Sequence, residues 1–231
     1  PMLAEALFDA CEARDLPGMA DVDSSLMLFC REVKRQGFNV VLSGECADEL
    51  FGGYPWYHNH EILFQDGFPW STATDERKSL LRKGVLGDIS PDEYVRSAYQ
   101  RTVDDTEYLE SDSPIDRRMR EMYRLNFNWF MQTLLVRKDR TTMKCGLEAR
   151  VPFCDYRIAE YAFNIPWEMK AFKGREKGVL RQAAVNILPN DVVWRKKNPY
   201  PKTHNPTYLA LVMKMFRQIL DKPNCRICEI A

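Results

Sequence analysis

The chain has 231 residues, with 33 basic and 33 acidic side chains balancing to a net charge of zero. That length supports one large domain with a sizeable core, or two small ones, and the charge balance argues against a nucleic-acid binder, which carries a basic excess. No apolar run approaches the ~20 residues of a membrane span and no signal-peptide pattern is present. The seven cysteines, an odd number with several in apolar helical patterns, fit reduced thiols of a cytoplasmic protein better than a disulfide framework.

Residues 1–13 read as a helix with Leu3, Ala6, Leu7 and Ala10 on one face, broken by Asp15-Leu16-Pro17-Gly18. Asp23 or Ser24 is placed to cap a second helix, whose apolar Leu26, Phe29, Cys30 and Val33 follow the i, i+3, i+4, i+7 pattern until Gly37 ends it. Residues 38–42 read as a parallel strand covered on both faces, because Val-Val-Leu runs without alternation. Residues 55–75 are aromatic and irregular, a loop with short helices. His58 and His60 lie there without an evident third ligand, so packing is the plainer reading.

Residues 75–113 are charged, with turn signals at Gly84, Gly87 and Ser90-Pro91, and residues 116–136 form one long helix carrying Met119, Tyr123, Phe127, Phe130 and Leu134. Asp155 caps a short helix ending before Pro166, and a helix over 177–188 is stopped by Pro189. Asn205-Pro206 opens a last helix with Leu209, Val212, Met213 and Phe216 inward. Cys225-Arg226-Ile227-Cys228 is a lone C-x-x-C with no second pair to complete a zinc site. The fold class is α/β, mostly helical around a small remnant of parallel sheet.

The segment from Val40 to Tyr54, VVLSGECADELFGGY, concentrates the chemistry. A β-rich run stops at Ser43-Gly44, two acids follow at Glu45 and Asp48, and Gly52-Gly53 closes it. A strand that delivers polar groups to the carboxyl edge of a parallel sheet has this layout, and ligands of α/β proteins bind at that edge. Ser43 and Gly44 can offer a hydroxyl and backbone N–H groups to a phosphate or ribose, and Glu45 and Asp48 suit a proton acceptor and a metal ligand. The cluster Arg195-Lys196-Lys197 reads equally as a solvated face or a phosphate contact.

This segment resembles the signature of the synthetase domain of glutamine-dependent asparagine synthetases, with β-lactam synthetase as a cousin. Further blocks match in order: Arg137-Lys138-Asp139-Arg140-Thr141-Thr142-Met143, then 147–155 (LEARVPFCD), then 174–181 (GREKGVLR), then Leu188-Pro189 and Arg195-Lys196-Lys197. The resemblance implies an adenine nucleotide α-hydrolase-like (pyrophosphate-loop) fold. It also implies ATP-dependent amidation of aspartate through β-aspartyl-AMP, with ammonia from glutamine and with Mg²⁺. By motif position it makes Lys177 the cation at the α-phosphorus, Glu45 the base for the incoming amine, Asp48 the metal ligand, and Ser43 and Gly44 the nucleotide contacts. Asp139, Arg140, Glu148 and Arg150 then read as a buried ion-pair network shaping the site.

The family's loop of the type Ser-Gly-Gly-x-Asp-Ser does not occur; Asp23-Ser24-Ser25 is only a superficial match. Residues 1–231 are therefore expected to be the C-terminal portion of a synthetase domain, without the glutaminase domain and the first strands, and inactive alone. Such an open sheet edge invites dimerisation or aggregation. Cys46 stands where the family most often has glycine; a positive φ there would strain it. The expectation is instead a tolerant position, with a partly exposed thiol whose acidic neighbours disfavour the thiolate. A β-lactam synthetase-like enzyme and a non-catalytic interaction fragment stay open as alternatives.

Overall fold

The structure, a computed structural model, describes residues 1–16, 18–198, 200 and 203–230. Pro17, within the expected break after the first helix, lies outside the described residues.

The first helical stretch is two helices, α1 (Met2–Glu5) and α2 (Leu7–Arg14), and α2 ends on Asp15 in the left-handed region (φ 59°). The next helix, α3 (Ala20–Arg35), starts earlier than expected and without a side-chain cap. Asp23 is unavailable for capping because Arg14 of α2 takes its carboxylate at 2.8 Å, and Ser24 is buried beside it. Leu26 and Cys30 pack with Leu147 in a small core. Phe29 does not join them; it faces solvent.

Strand β1 (Val40–Leu42) pairs in parallel with β2 (Glu148–Arg150), Val41 opposite Ala149, and the two form the only sheet among the described residues. The expectation of a strand buried on both faces is corrected here. With one neighbour only, Leu42 is 77% exposed and Val40 is also open to solvent, and Val41 alone faces the α3 core.

After β1 come α4 (Ala47–Phe51), α5 (His60–Leu63) and α6 (Thr74–Ser79). A helix not foreseen in the charged region, α7 (Pro91–Asp104), starts at Ser90, whose hydroxyl accepts from Glu93 N, with Pro91 in its first turn. The expected long helix is longer than predicted: α8 (Pro114–Leu125) continues through a π-helical turn at Asn126–Phe130 into α9 (Met131–Lys144). Together α7 and α8 bury Tyr99, Met119, Met122 and Leu125 against Tyr57, Leu63 and Phe68. Arg118 is buried there without cost in unpaired groups, because it donates to Leu63 O, Gln65 O, Tyr99 Oη and Glu121.

The chain continues through α10 (Tyr156–Phe163), capped as expected by Asp155, then α11 (Trp167–Lys170) and α12 (Gly178–Ala184). α12 is shorter than the expected 177–188, because Val185 leaves the helical region and Asn186 takes φ 77°. The last helices are α13 (Asn190–Val193), α14 (Pro206–Leu220) and α15 (Ile227–Ile230). Asn205 caps α14 as read, but Leu209, Met213 and Phe216 are exposed instead of inward, since α14 packs mainly along α1.

Candidate active site

The site grows from the turn that follows β1. Ser43 N donates to Arg150 O at 2.8 Å, the last hydrogen bond of the sheet, and Ser43 Oγ then accepts from Glu45 N at 3.4 Å. Gly44 is exposed, with open space where a Cβ would stand. Cys46 reverses the chain in the left-handed region (φ 74°) and leads into α4. The family's usual glycine thus corresponds to a real conformational demand, which Cys46 meets at the cost of strain. Its thiol is not partly exposed, as expected, but 2% exposed, and burial, then Cys154 and Glu49, push its pKa far up.

The turn aims Asp48 at two ammonium groups. Lys177 Nζ lies 2.9 Å from Oδ1 and Lys197 Nζ 3.0 Å from Oδ2. Burial works against the charge on Asp48, but Lys177 and then Lys197 outweigh it and hold the carboxyl below the usual carboxylate range. Lys197 also donates to Gly53 O at 2.9 Å and sits over the Tyr54 ring at 4.1 Å. A Cβ on Gly53 would fall 1.8 Å from Asp48 Oδ1, so only glycine lets this carboxylate turn back on its own loop. Asp48 does not cap α4; the helix has no side-chain cap.

Lys177 reaches Asp48 from the residue before α12, itself in the left-handed region (φ 55°). Glycine follows because a Cβ at Gly178 would lie 2.4 Å from Phe172 N. A carboxylate from the same loop, Glu176, is fixed by Arg181 at 2.6 Å and accepts from Lys197 N at 3.3 Å, tying the two lysine segments together.

Glu45 belongs to a second cluster. Its Oε1 faces Lys138 Nζ at 3.5 Å and Arg137 Nη2 at 3.8 Å, both on α9, while Oε2 is buried without a hydrogen-bond partner. The structure therefore joins Asp48 and Lys177, and places Glu45 three residues away against a different pair of cations. Glu49 is buried and accepts from the Tyr54 hydroxyl; burial pushes its pKa up. His58 and His60 pack, the first on the Gly52 carbonyl at 2.9 Å and the second on Phe64.

The expected buried network of Asp139, Arg140, Glu148 and Arg150 is not formed. All four are exposed; Arg140 pairs with Asp15, and Glu148 with Arg150 at 2.7 Å. Glu148 and Arg150 are two apart on a strand, so they share a face, and that face is open. The residues that do approach the site are Arg137, Lys138 and Lys197. Lys197 was visible only as part of a basic run, and nothing in a run shows which member reaches inward.

For Mg²⁺, the residues present do not make a site. Both Asp48 oxygens are held by ammonium groups, and no group of three His, Cys, Asp or Glu side chains suited to a metal occurs among the described residues. The arrangement can hold anions: Lys177 and Lys197 converge on the one carboxylate of Asp48.

Fold and site together define an α/β protein with a cluster of charged side chains beyond the end of a parallel strand. The chain belongs to the asparagine synthase family, whose profile matches residues 2–229. It is 50% identical over 217 residues to asparagine synthetase [glutamine-hydrolyzing] 3 of Bacillus subtilis, covering 94% of this chain and 35% of that protein. It is 35% identical over 164 residues to the asparagine synthetase [glutamine-hydrolyzing] of Homo sapiens, covering 70% of this chain and 20% of that protein. The chain thus spans about a third or less of the length of these curated relatives.

Proposed function

We propose that this chain supplies the Asp48, Lys177 and Lys197 side of an adenylation site, in which ATP activates the side-chain carboxylate of aspartate and ammonia from glutamine displaces AMP. The bridging of Asp48 by two lysines from separate segments carries this reading. Two ammonium groups held at one carboxylate are pre-positioned for phosphate oxygens, and a pre-set cation needs no reorganisation as charge develops on a leaving pyrophosphate. The left-handed backbone at both Cys46 and Lys177 agrees, because strain of this kind gathers at functional sites.

In this scheme Lys177 sits at the α-phosphorus, Lys197 neutralises the pyrophosphate, and Ser43 and Gly44 contact the nucleotide. Glu45 accepts a proton from the attacking amine through its unpartnered oxygen. The nucleotide's own phosphates are the natural ligands of any Mg²⁺, since both Asp48 oxygens face ammonium groups. Seven free thiols and the absence, among the described residues, of a helix long and apolar enough to cross a membrane agree with a cytoplasmic setting. Aspartate-dependent exchange of pyrophosphate into ATP, measured on a full-length synthetase carrying these residues, tests the reading. Exchange that ignores aspartate but follows another carboxylate would favour a β-lactam synthetase-like acceptor instead.

A further inference from the structure

Beside α4 lies a cavity of about 190 Å³, which Glu49 and Gly52 line together with residues of α8 and α11. Into it runs Lys170, the last residue of α11, only 7% exposed. Its side chain makes no hydrogen bond or ion pair with any described residue. Its ammonium instead sits over the Tyr123 ring at 4.9 Å.

The other charged groups around the cavity each have a partner of their own, on one oxygen in the case of Asp112 and Glu49. Asp112 accepts from Arg120 Nε at 2.7 Å and from Leu109 N; Asp116 accepts from Ser113 Oγ and from Trp167 N; Glu49 accepts from Tyr54. Arg120 lies over the Phe163 ring at 4.9 Å, and Phe163 and Tyr123 are in edge contact at 5.3 Å. Two cations thus stand on neighbouring rings, and Asp112, the carboxylate paired with Arg120, makes no ion pair with Lys170. Arg120 Nη1 has just two long contacts, at 3.4 and 3.5 Å.

We infer that this cavity is a binding site for a small carboxylate with an apolar body, its carboxylate held by Lys170 and Arg120 and its body against Trp167 and Met119. Burial and the neighbouring Arg120 already push the Lys170 pKa down to about 7, the signature of a cation lacking its counter-charge. An engineered apolar cavity of about 150 Å³ admits benzene, so one ring with a carboxylate matches the space here. This inference stands on cavity geometry alone and does not rest on the synthetase reading.

Benzoate and its uncharged counterpart benzyl alcohol are the probes, titrated into the 231-residue chain at about pH 6, where Lys170 is protonated. Thermal midpoint and tryptophan fluorescence report the binding. The expected result is a saturable rise in midpoint with benzoate, with at least tenfold weaker binding of benzyl alcohol and at least tenfold weaker benzoate binding to Lys170→Met. No saturable response to benzoate, equal binding of benzyl alcohol, or an unchanged response in Lys170→Met would each overturn the assignment. Should Lys170→Met not fold, the comparison of the two probes on the unaltered chain decides alone.

Discussion

Lys177 Nζ stands 2.9 Å from Asp48 Oδ1, although the two residues come from the starts of different helices, α12 and α4. Lys197 takes the other oxygen. The three side chains are each about a quarter exposed, so this is neither a surface pair of negligible worth nor a fully buried one.

Replacing Asp48 with Asn leaves two ammonium groups facing each other without their anion. The expected loss of stability is about 1–3 kcal/mol, read from urea unfolding near neutral pH. Because the folded-state pKa of Asp48 is depressed, its contribution is present above the unfolded value near ~3.9 and is lost as pH falls through the folded value. Asp48→Asn therefore flattens the acid limb of the stability profile. A variant with the same acid limb as the parent would show that Asp48 carries no such linkage.

Gly53→Ala is expected to be more damaging than its size suggests. The new methyl would lie 1.8 Å from Asp48 Oδ1, and 2.9 Å from Asp48 Cα, so the carboxylate must leave the lysine pair. The check is a double-mutant cycle: combined with Asp48→Asn, the Gly53→Ala penalty should shrink by ~1 kcal/mol or more. Full additivity would place the clash elsewhere.

At Cys46 the backbone and the side chain pull in opposite directions. A left-handed residue with a Cβ costs roughly 1–2 kcal/mol, which glycine removes, while the buried sulfur contributes packing. Cys46→Gly is expected within about 1 kcal/mol of the parent, and Cys46→Val at least ~2 kcal/mol less stable, because a β-branched residue is a strong outlier at positive φ. Equal stabilities for Gly and Val in urea unfolding would contradict the strain argument.

Replacing Lys170 is expected to act on stability in the opposite direction to replacing Asp48, although both groups make stability rise with pH. Its folded pKa is about 7 against ~10.4 unfolded. Between those values the unfolded chain binds the extra proton, so this group makes stability rise with pH from about 7 to about 10. Lys170→Met removes a buried cation without a partner and should stabilise the chain by about 1–3 kcal/mol below pH ~7, the gain shrinking in alkali. Thermal unfolding across that range checks it; a destabilised Lys170→Met at low pH would mean that the ammonium is compensated.

Much of the site was legible because local chemistry wrote it. A β-rich run ending in Ser43-Gly44 had to leave a sheet, and β1 does leave it there, paired in parallel. Asn205, Asp155 and the Ser90-Pro91 turn are cap signals, although only the first two were read as helix starts. Long-range facts were not legible. A continuous apolar run cannot show how many strands will flank it, so the exposure of Leu42 was missed. Charge neighbours in sequence cannot show which ones meet: Arg140 pairs with Asp15 and Glu148 with Arg150, while Arg137 and Lys138 are the residues facing Glu45. The helical period of α14 set out an apolar face without saying whether anything covers it.

The central claim is that the Lys177 ammonium at Asp48 serves the transfer of AMP to a carboxylate. Aspartate-dependent pyrophosphate exchange in a full-length synthetase carrying Lys177→Ala measures that step directly, apart from ammonia supply and amide formation. A well-placed charge is worth on the order of 10²- to 10³-fold in rate. We predict an exchange rate lower by that factor, with glutamine hydrolysis retained. Exchange at the parent rate in Lys177→Ala would contradict the account.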